Sequence, residues 1–238
     1  MTTPTITFAG HSAVFIEIGG KKIAIDPWLQ GNPSCPQNLL NPTSLDLIVL
    51  THGHADHASD VVRISGLNSA KIVATYELAM ILIGEGIDES RVVPMNKGGS
   101  ITIDSVTITL THAQHSSSYD SPTRGTLYAG EACGVLLGTD EHCIFHAGDT
   151  ELFSDLALIG ELYQPQVALL PIGDRFTMGP GQAAMAAHLL GVAVAIPIHF
   201  GTFGLLTGTA SEFTERCSEQ DIRAVELTPG STYTLDVE

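Results

Sequence analysis

Residues 45–57, LDLIVLTHGHADH, place an apolar run directly before a dense group of polar side chains. The run at 45–50 has the length and composition of a strand that is buried on both faces. Only the small residues Gly53 and Ala55 separate the three imidazoles and one carboxylate that follow. These four side chains are His52, His54, Asp56 and His57. Imidazole and carboxylate suit a borderline divalent metal such as Zn²⁺, so the spacing predicts a metal site just beyond a buried strand.

The geometry of this motif indicates more than one ion. In a strand, His52 and His54 would share one face. Asp56 and its neighbour His57 would then point to opposite sides. A loop or the entry to a helix would let the motif serve two neighbouring ions. Four side chains do not complete two sets of ligands, so further ligands must come from other parts of the chain.

Three later segments supply such ligands where a strand passes into a loop. The candidates are His115 in the segment 111–118, Asp149 after Gly148, and His199 at the end of the apolar run 192–197. An apolar strand that ends by presenting one histidine or aspartate is typical of a site assembled at strand ends. His112 lies in the same segment as His115 and is its alternative.

The remaining sequence predicts a single layered α/β domain over residues 1–238. Strands dominate the first third and then alternate with helices, which favours packed layers over a doubly wound parallel sheet. No G-x-G-x-x-G follows a strand, so a dinucleotide site has no support. Strands are predicted at 5–9, 13–18, 22–25, 45–50, 71–74, 100–103, 106–111, 133–137, 143–146, 167–170, 192–197, 223–227 and 231–236. Helices are predicted at 58–65, 75–84, 150–160, 180–190 and 209–218, and the segment 113–130 is predicted to be irregular.

The composition excludes several classes of protein. The chain has 238 residues, 44% of them hydrophobic and 15% charged, which is too apolar for a disordered protein. Its formal net charge of −16 argues against a nucleic-acid partner, because such binding relies on clustered lysine and arginine. Four scattered cysteines predict reduced thiols. The sequence shows no secretory signal and no membrane span, so we expect a cytoplasmic protein without a membrane partner; homo-oligomerisation stays open.

The order of the histidines and aspartates resembles that of the metallo-β-lactamase superfamily. It consists of His52-x-His54-x-Asp56-His57, a single histidine, Gly-Asp, and a late histidine. The resemblance runs from about residue 6 to residue 203, and Asp26 corresponds to the superfamily's first motif. Shorter stretches are similar to small metal-dependent hydrolases related to the ascorbate-phosphate lactonases. They are Gly10-His-Ser12, Ile25-Asp-Pro27, Ala113-Gln-His-Ser-Ser117, Phe176-Thr-Met-Gly-Pro180 and His199-Phe-Gly-Thr202.

This resemblance implies a four-layer αβ/βα sandwich of the metallo-β-lactamase type with two metal ions at one edge. The first ion would be held by His52, His54 and His115. The second would be held by Asp56, His57 and His199, and Asp149 would bridge the two. The pattern Ala-Gln-His-Ser favours His115 over His112.

The implied function is that of a binuclear metal-dependent hydrolase, with Zn²⁺ favoured and Mn²⁺ or Fe²⁺ as alternatives. A hydroxide shared by two such ions is a nucleophile at neutral pH and would attack an ester, lactone or phosphodiester. The expected substrate is a small molecule, and an anionic one would meet a locally positive centre in an acidic chain. Asp56 and His11 are the candidate catalytic residues, with a structural role as the alternative for His11.

Three other functions stay open as alternatives. Di-iron oxidoreductases share the implied fold, but they typically have glutamate where this chain has His54 and usually carry a flavin domain. A nuclease-type phosphodiesterase would need a basic surface, against which the acidic charge argues. The third alternative is a metal-binding scaffold without activity.

Further polar residues are candidates for supporting roles. Asp26 is expected to orient a metal-binding histidine rather than to touch metal. His146, three residues before Asp149, is a candidate for similar support. Arg124 lies in the segment 113–130 and Arg175 precedes a helix. Both are candidates for contact with the substrate, and Arg175 would pair with an anion.

Overall fold

The computed structural model describes residues 3–235, which form sixteen strands and six α-helices. The strands are β1 (Thr5–Gly10), β2 (Ala13–Ile18), β3 (Lys21–Ile25), β4 (Leu47–Val49), β5 (Lys71–Thr75), β6 (Val92–Met95), β7 (Ser100–Ile103), β8 (Val106–His112), β9 (Ser118–Ser121), β10 (Gly125–Tyr128), β11 (Cys133–Gly138), β12 (Cys143–His146), β13 (Val167–Pro171), β14 (Val194–Ile198), β15 (Arg223–Ala224) and β16 (Thr232–Thr234). The helices are α1 (Ala55–Ala58), α2 (Val61–Leu67), α3 (Tyr76–Gly84), α4 (Leu156–Tyr163), α5 (Pro180–Leu190) and α6 (Ala210–Ser218).

Two seven-stranded sheets make up the body of the protein. The strand order is β16-β1-β2-β3-β4-β5-β6 in the first and β15-β14-β13-β12-β11-β8-β7 in the second. Strands β3 to β6 run parallel to one another, as do strands β12 to β15. The hairpin of β9 and β10 forms a separate small sheet.

Alternating side chains of the strands divide the core into layers. In β4, Leu47 and Val49 belong to the cluster between the two sheets, together with Leu169 and Ile196 of the second sheet. The intervening Ile48 packs on the outer face among residues of α1 to α3. Helices α4 to α6 cover the outer face of the second sheet. Because successive strand residues face opposite sides, each sheet has two apolar faces to bury. The predicted four-layer αβ/βα sandwich is therefore confirmed.

The parallel strands of both sheets end at a common edge. His57, which follows β4, lies 3.4 Å from Asp149, which follows β12. His11, in the turn between β1 and β2, accepts the backbone N–H of His199, which follows β14, at 2.7 Å. Loops from both sheets thus bring polar side chains together at one end of the sandwich.

The segment 113–130 is only partly irregular, which corrects the sequence prediction. It contains β9 and β10, with Ser118 opposite Tyr128 and Ser121 opposite Gly125. The turn of this hairpin ends at Gly125, whose φ is +72°. Tyr119 and Ser121 of β9 are buried, the other strand residues are at least partly exposed, and most of the residues are polar. A hydrophobic pattern therefore gives no signal for this hairpin.

Two predicted helices have different bounds in the structure. The helix predicted at 58–65 is split into α1 and α2, and the helix predicted at 150–160 begins only at Leu156. In place of a helix, residues 150 and 151 pair with the loop that precedes His115. The amide of Gln114 donates to Thr150 Oγ1 at 3.0 Å, and the amide of Glu151 donates to the carbonyl of Gln114 at 3.2 Å. Tertiary contacts thus override local helix propensity here.

Strand β6 is a further element that the sequence analysis does not predict. Its Pro94 argues against a strand, but β6 lies at the edge of the first sheet, where proline is tolerated. The strand predicted at 223–227 is reduced to β15. The strand predicted at 231–236 is observed as β16, and residue 236 lies outside the described residues.

All four cysteine thiols are free, and Cys133 and Cys217 are buried. Within residues 3–235, no helix has the length and apolar character that a bilayer crossing requires.

A close helix contact at Gly160 gives a test of this packing. A Cβ atom at Gly160 of α4 would lie 2.4 Å from the carbonyl oxygen of Leu190, at the end of α5. We expect Gly160→Ala to destabilise the protein by about 1–3 kcal/mol, because backbone atoms must move to admit the methyl group. The measurement is chemical denaturation.

Gly181 of α5 provides the matched control, since a Cβ atom there meets nothing within 4 Å. Gly181→Ala should leave stability unchanged or raise it by about 0.4–1 kcal/mol. Equal stability of the two variants would contradict the proposed contact between α4 and α5.

Candidate metal centre

The seven predicted metal ligands lie together at the common edge of the two sheets. The motif after β4 passes directly from strand to helix, with His54 at the N-cap of α1 and both Asp56 and His57 inside that helix. Asp149 follows β12, and Gly148 before it has a φ of +62° that permits a sharp turn. The short helix α1 therefore supplies the change of direction that lets one motif face two groups of side chains.

The first group consists of His52, His54 and His115, whose ligand atoms all lie within 4.8 Å of one another. His52 is fully buried, whereas His54 and His115 are partly exposed. His52 Nε2 and His54 Nδ1 face each other at 3.0 Å. Three imidazoles that converge in this way form a donor set suited to a divalent ion such as Zn²⁺.

The second group consists of His11, Asp56, His57 and His199, again with ligand atoms within 4.8 Å. Asp56 Oδ2 accepts a hydrogen bond from His11 Nε2 at 3.0 Å and lies 3.7 Å from His199 Nε2. The structure thus adds His11 to the three residues that the sequence assigns to the second ion.

Asp149 connects the two groups. Its Oδ2 atom lies 3.1 Å from His199 Nε2 and 3.4 Å from His57 Nε2, both of the second group. The same atom lies 3.7 Å from His115 Nε2 of the first group. This carboxylate is nearly inaccessible to solvent, so its position between the groups is fixed by the fold.

Several buried polar atoms of the cluster have no hydrogen-bond partner among residues 3–235. They are His57 Nε2, Asp149 Oδ1 and His199 Nδ1. Buried polar atoms are normally satisfied, because an unpartnered one costs about 1–3 kcal/mol. Imidazole nitrogen and carboxylate oxygen are ligands of divalent cations, so the donor set fits a metal centre.

Asp26 supports two of the imidazoles. Its carboxylate accepts hydrogen bonds from the amide of Thr51 at 2.8 Å, from the hydroxyl of Thr51 at 2.5 Å, and from His57 Nδ1 at 2.8 Å. Because the single hydroxyl hydrogen of Thr51 goes to Asp26, its oxygen accepts from His52 Nδ1 at 3.0 Å. Both His52 and His57 therefore carry a hydrogen on Nδ1 and direct Nε2 toward the cluster.

The histidines and carboxylates of the cluster shift one another's pKa values. Burial opposes protonation of His57, but Asp149 and Asp26 outweigh it and raise the pKa of His57 well above its ordinary value. Burial likewise opposes protonation of His199, yet Asp149 and Asp56 raise its pKa to about 9. Burial would raise the pKa of Asp149, but His199 and His57 hold it well below its usual range. The carboxylates thus favour positive charge in the centre.

Other histidines of the cluster are held neutral. Burial lowers the pKa of His11 to about 4, and it lowers the pKa of His52 well below the ordinary value. Burial also lowers the pKa of His115. A neutral imidazole has the free lone pair that metal ligation requires.

Three residues of this edge have backbone conformations that favour glycine. The φ angles are +58° for His11, +45° for Asp26 and +55° for His199. Such conformations cost roughly 1–3 kcal/mol each and persist where the surroundings enforce them. Their concentration at one edge is typical of a functional site.

The other candidate histidines, His146 and His112, occupy different positions relative to the cluster. His146 is buried, contacts the carbonyl of Ser12 through Nε2 at 3.0 Å, and accepts the amide of Gly148 at 3.1 Å. It therefore holds the turn before Asp149. His112 is exposed and contacts Lys97, so it lies outside both groups, in agreement with the preference for His115.

The two arginine candidates do not reach the cluster through any ion pair described. Arg124 pairs with Glu85 at 2.6 Å and ties the β9–β10 hairpin to the end of α3. Arg175 is exposed, with its guanidinium 5.8 Å from the ring centre of Phe176. A role for either in substrate contact stays a prediction.

Two aromatic residues beside the cluster were not predicted from the sequence. The ring centres of Trp28 and Phe203 each lie 5.3 Å from that of His11. Trp28 follows Asp26 by two residues and is the single tryptophan of the chain, and Phe203 follows His199 by four. Proximity in sequence to predicted ligands was the available signal.

Sequence comparison finds a matching family model and similar proteins for this chain. A family model described as beta-lactamase superfamily domain matches residues 21–200. A protein of Herpetosiphon aurantiacus named UPF0173 metal-dependent hydrolase is 40% identical over 239 residues, which covers 98% of this chain and 99% of the relative. A protein of the same name from Koribacter versatilis is 42% identical over 230 residues, which covers 96% and 97%.

Solved structures show similar folds. Igni18, described as a novel metallo hydrolase from the archaeon Ignicoccus hospitalis, matches with a TM-score of 0.87 and 35% identity over 100% of both chains. An isothiocyanate hydrolase from Delia radicum gut bacteria matches with a TM-score of 0.75, covering 97% of this chain and 99% of its own. Its identity of 21% indicates a shared fold alone.

The role of Asp26 can be tested by Asp26→Asn. The asparagine side chain has the same size as aspartate, but one acceptor oxygen is replaced by an NH₂ donor. This donor would face the hydrogen-bond donors of Thr51 or His57. We expect about a 10- to 100-fold loss of Zn²⁺ affinity, because His57 and His52 lose their fixed orientation. A competition titration against a chromophoric chelator measures this loss.

Asp140, exposed in the turn between β11 and β12, provides the matched control. Asp140→Asn should bind Zn²⁺ as the wild-type protein does. Wild-type affinity in Asp26→Asn would show that Asp26 does not orient the ligands.

Proposed function

Since this chain belongs to the beta-lactamase superfamily and, within it, to the UPF0173 metal-dependent hydrolases, we propose that it is a binuclear hydrolase of small esters, lactones or phosphodiesters. The observation that carries the proposal is the position of Asp149. One buried oxygen of this side chain lies within 3.7 Å of histidines from both groups. Such a carboxylate suits a bridge between two cations.

The proposed ligand sets follow from the two groups. His52, His54 and His115 would hold the first ion. Asp56, His57 and His199 would hold the second, and Asp149 would bridge them. Zn²⁺ is the favoured metal, because imidazole with carboxylate suits it, although Mn²⁺ and Fe²⁺ accept the same donors.

When bound, a pair of divalent cations supplies hydroxide from a shared water near neutral pH and polarises the carbonyl or phosphoryl oxygen of the substrate. The chain's own residues hold and orient this centre. Asp26 fixes the hydrogen of two imidazoles on Nδ1, so their Nε2 atoms remain available as ligands. Asp149 and His199 are almost inaccessible to solvent, which strengthens electrostatic interactions inside the site.

Asp56 and His11 form the proposed catalytic pair. His11 is neutral near pH 7, and its Nε2–H donates to Asp56 Oδ2 at 3.0 Å. Its Nδ1 lies 3.0 Å from the hydroxyl of Thr202, so both sides of the imidazole are fixed. Asp56 would touch the second ion, and His11, whose side chain is inaccessible to solvent, would hold that carboxylate in place.

Removal of metal is the direct test of this proposal. The purified protein is expected to hold about two metal ions per chain and to hydrolyse members of a panel of esters, lactones and phosphodiesters. Chelation should abolish turnover, and addition of Zn²⁺ should restore it. Full activity of a metal-free preparation, verified by elemental analysis, would overturn the proposal.

Single substitutions test the ligand assignment. His54→Ala and Asp149→Asn should each lower kcat/KM by about 100-fold or more and reduce the bound metal, because a ligand is lost. His188, exposed on α5, provides the matched control, and His188→Ala should retain both metal and activity. Normal metal content and turnover in His54→Ala would contradict the assignment.

A further inference from the structure

An aromatic surface borders the second group of candidate ligands. The rings of Trp28 and Phe203 lie 5.8 Å apart and inclined by 32°, and each meets the edge or face of His11. The ring of His11 lies in turn 4.0 Å from that of His199. A single imidazole therefore separates these aromatic rings from the proposed second ion.

Trp28 is held firmly in this position. Its carbonyl accepts a hydrogen bond from Asn32 Nδ2, which also donates to the carbonyl of Gly10, next to His11. The carboxylate of Asp60 accepts the amides of the two residues that follow Trp28. The indole also lies so close to Gly31 that a Cβ atom there would be 2.6 Å from its Nε1. The hydrogen bonds of this loop and the close approach of Gly31 thus fix the position of the Trp28 ring.

Phe203 is partly exposed. Its side chain is 37% exposed, although it contacts two other rings, while Trp28 behind it is only 8% exposed. Phe203 lies in the loop after β14, and a Cβ atom at Gly201 or Gly204 would meet nothing within 4 Å. A partly exposed apolar ring therefore lies beside the polar cluster.

The charges near this surface offer little to an anionic group. Every ion pair of Asp56 and Asp149 within residues 3–235 has a histidine as its cationic partner. Arg63 pairs with Asp60 and Arg124 with Glu85, whereas Arg175 is exposed, with its guanidinium 5.8 Å from the ring centre of Phe176. The surface is therefore suited to an uncharged apolar group.

We propose that Phe203, supported by Trp28, binds a planar apolar substituent of the substrate and makes this enzyme selective for aromatic esters or lactones over aliphatic ones. The proposal rests on the proposed hydrolase function. With the reacting carbonyl at the metal centre, its substituent would lie against the exposed part of the Phe203 ring. Aromatic pairs favour centroid separations of about 4.5–7 Å, within which Trp28, His11 and Phe203 already lie.

The binding of two carboxylates, one with an aromatic ring and one without, tests this surface without turnover. The zinc-loaded protein is titrated with benzoate and with acetate by calorimetry, while the emission of Trp28, the single tryptophan, is recorded. We expect benzoate to bind about 5- to 20-fold more tightly than acetate and to change the emission of Trp28, because only benzoate stacks on the aromatic surface. Equal affinities in the wild-type protein would overturn the proposal.

Substitutions test whether Phe203 causes the preference for benzoate over acetate. Phe203→Ala should reduce the ratio of benzoate to acetate affinity to within about 2-fold while metal content stays unchanged, and Phe203→Tyr should retain the wild-type ratio. Leu162→Ala, which removes an exposed apolar side chain on α4, is the control and should also retain it. An unchanged ratio in folded, zinc-loaded Phe203→Ala would overturn the role of Phe203.

The two proposals fail in different ways. Preference for benzoate without hydrolysis of any tested compound would support the aromatic surface and overturn the hydrolase function. Metal-dependent hydrolysis in which Phe203→Ala keeps the wild-type preference for aryl over alkyl esters would overturn the aromatic surface alone.

Discussion

The carboxylate of Asp26 lies at the end of β3, fully buried, and accepts hydrogen bonds from Thr51 and His57. A buried charge without such partners would be strongly destabilising, so these donors are required for the fold as well as for the site. The same bonds join the ends of two neighbouring strands and fix the entry into α1. Because His52 also donates to Thr51, this one carboxylate determines which nitrogen of two imidazoles faces the cluster. The orientation of the remaining ligands is built on this arrangement.

Three non-glycine residues with positive φ lie at the same edge. His11, Asp26 and His199 all adopt positive φ, and the backbone N–H of His199 donates to the carbonyl of His11. This bond links the first sheet to the second across the site. Strained residues persist when surrounding contacts over-determine them, and here the two buried sheets supply those contacts. The rigid sandwich therefore holds side chains from six separate segments in a geometry that no single loop would keep.

The sequence predicts the site better than its surroundings, for physical reasons. A motif such as 52–57 combines residue types that rarely occur together, and an apolar strand before it defines its place in the fold. Single residues such as His115 needed a family resemblance to be chosen over His112. The β9–β10 hairpin has almost no hydrophobic pattern, and the loop 150–155 is shaped by contacts with Gln114. Ring contacts such as that between Trp28 and Phe203 join residues far apart in the chain, so no local pattern reveals them.

The formal charge of −16 and the histidine cluster have a joint consequence for selectivity. In an acidic protein, an approaching polyanion meets an unfavourable field within one Debye length, about 8–10 Å, beyond which salt screens the charges. Inside the site, the partners of Asp56 and Asp149 are histidines, and the ring beyond His11 is apolar. If the substrate binds as proposed, it would gain little from carrying charge on its distal part and more from a flat apolar surface. The polar cluster would then hold the reacting group, and the aromatic surface would distinguish one substrate from another.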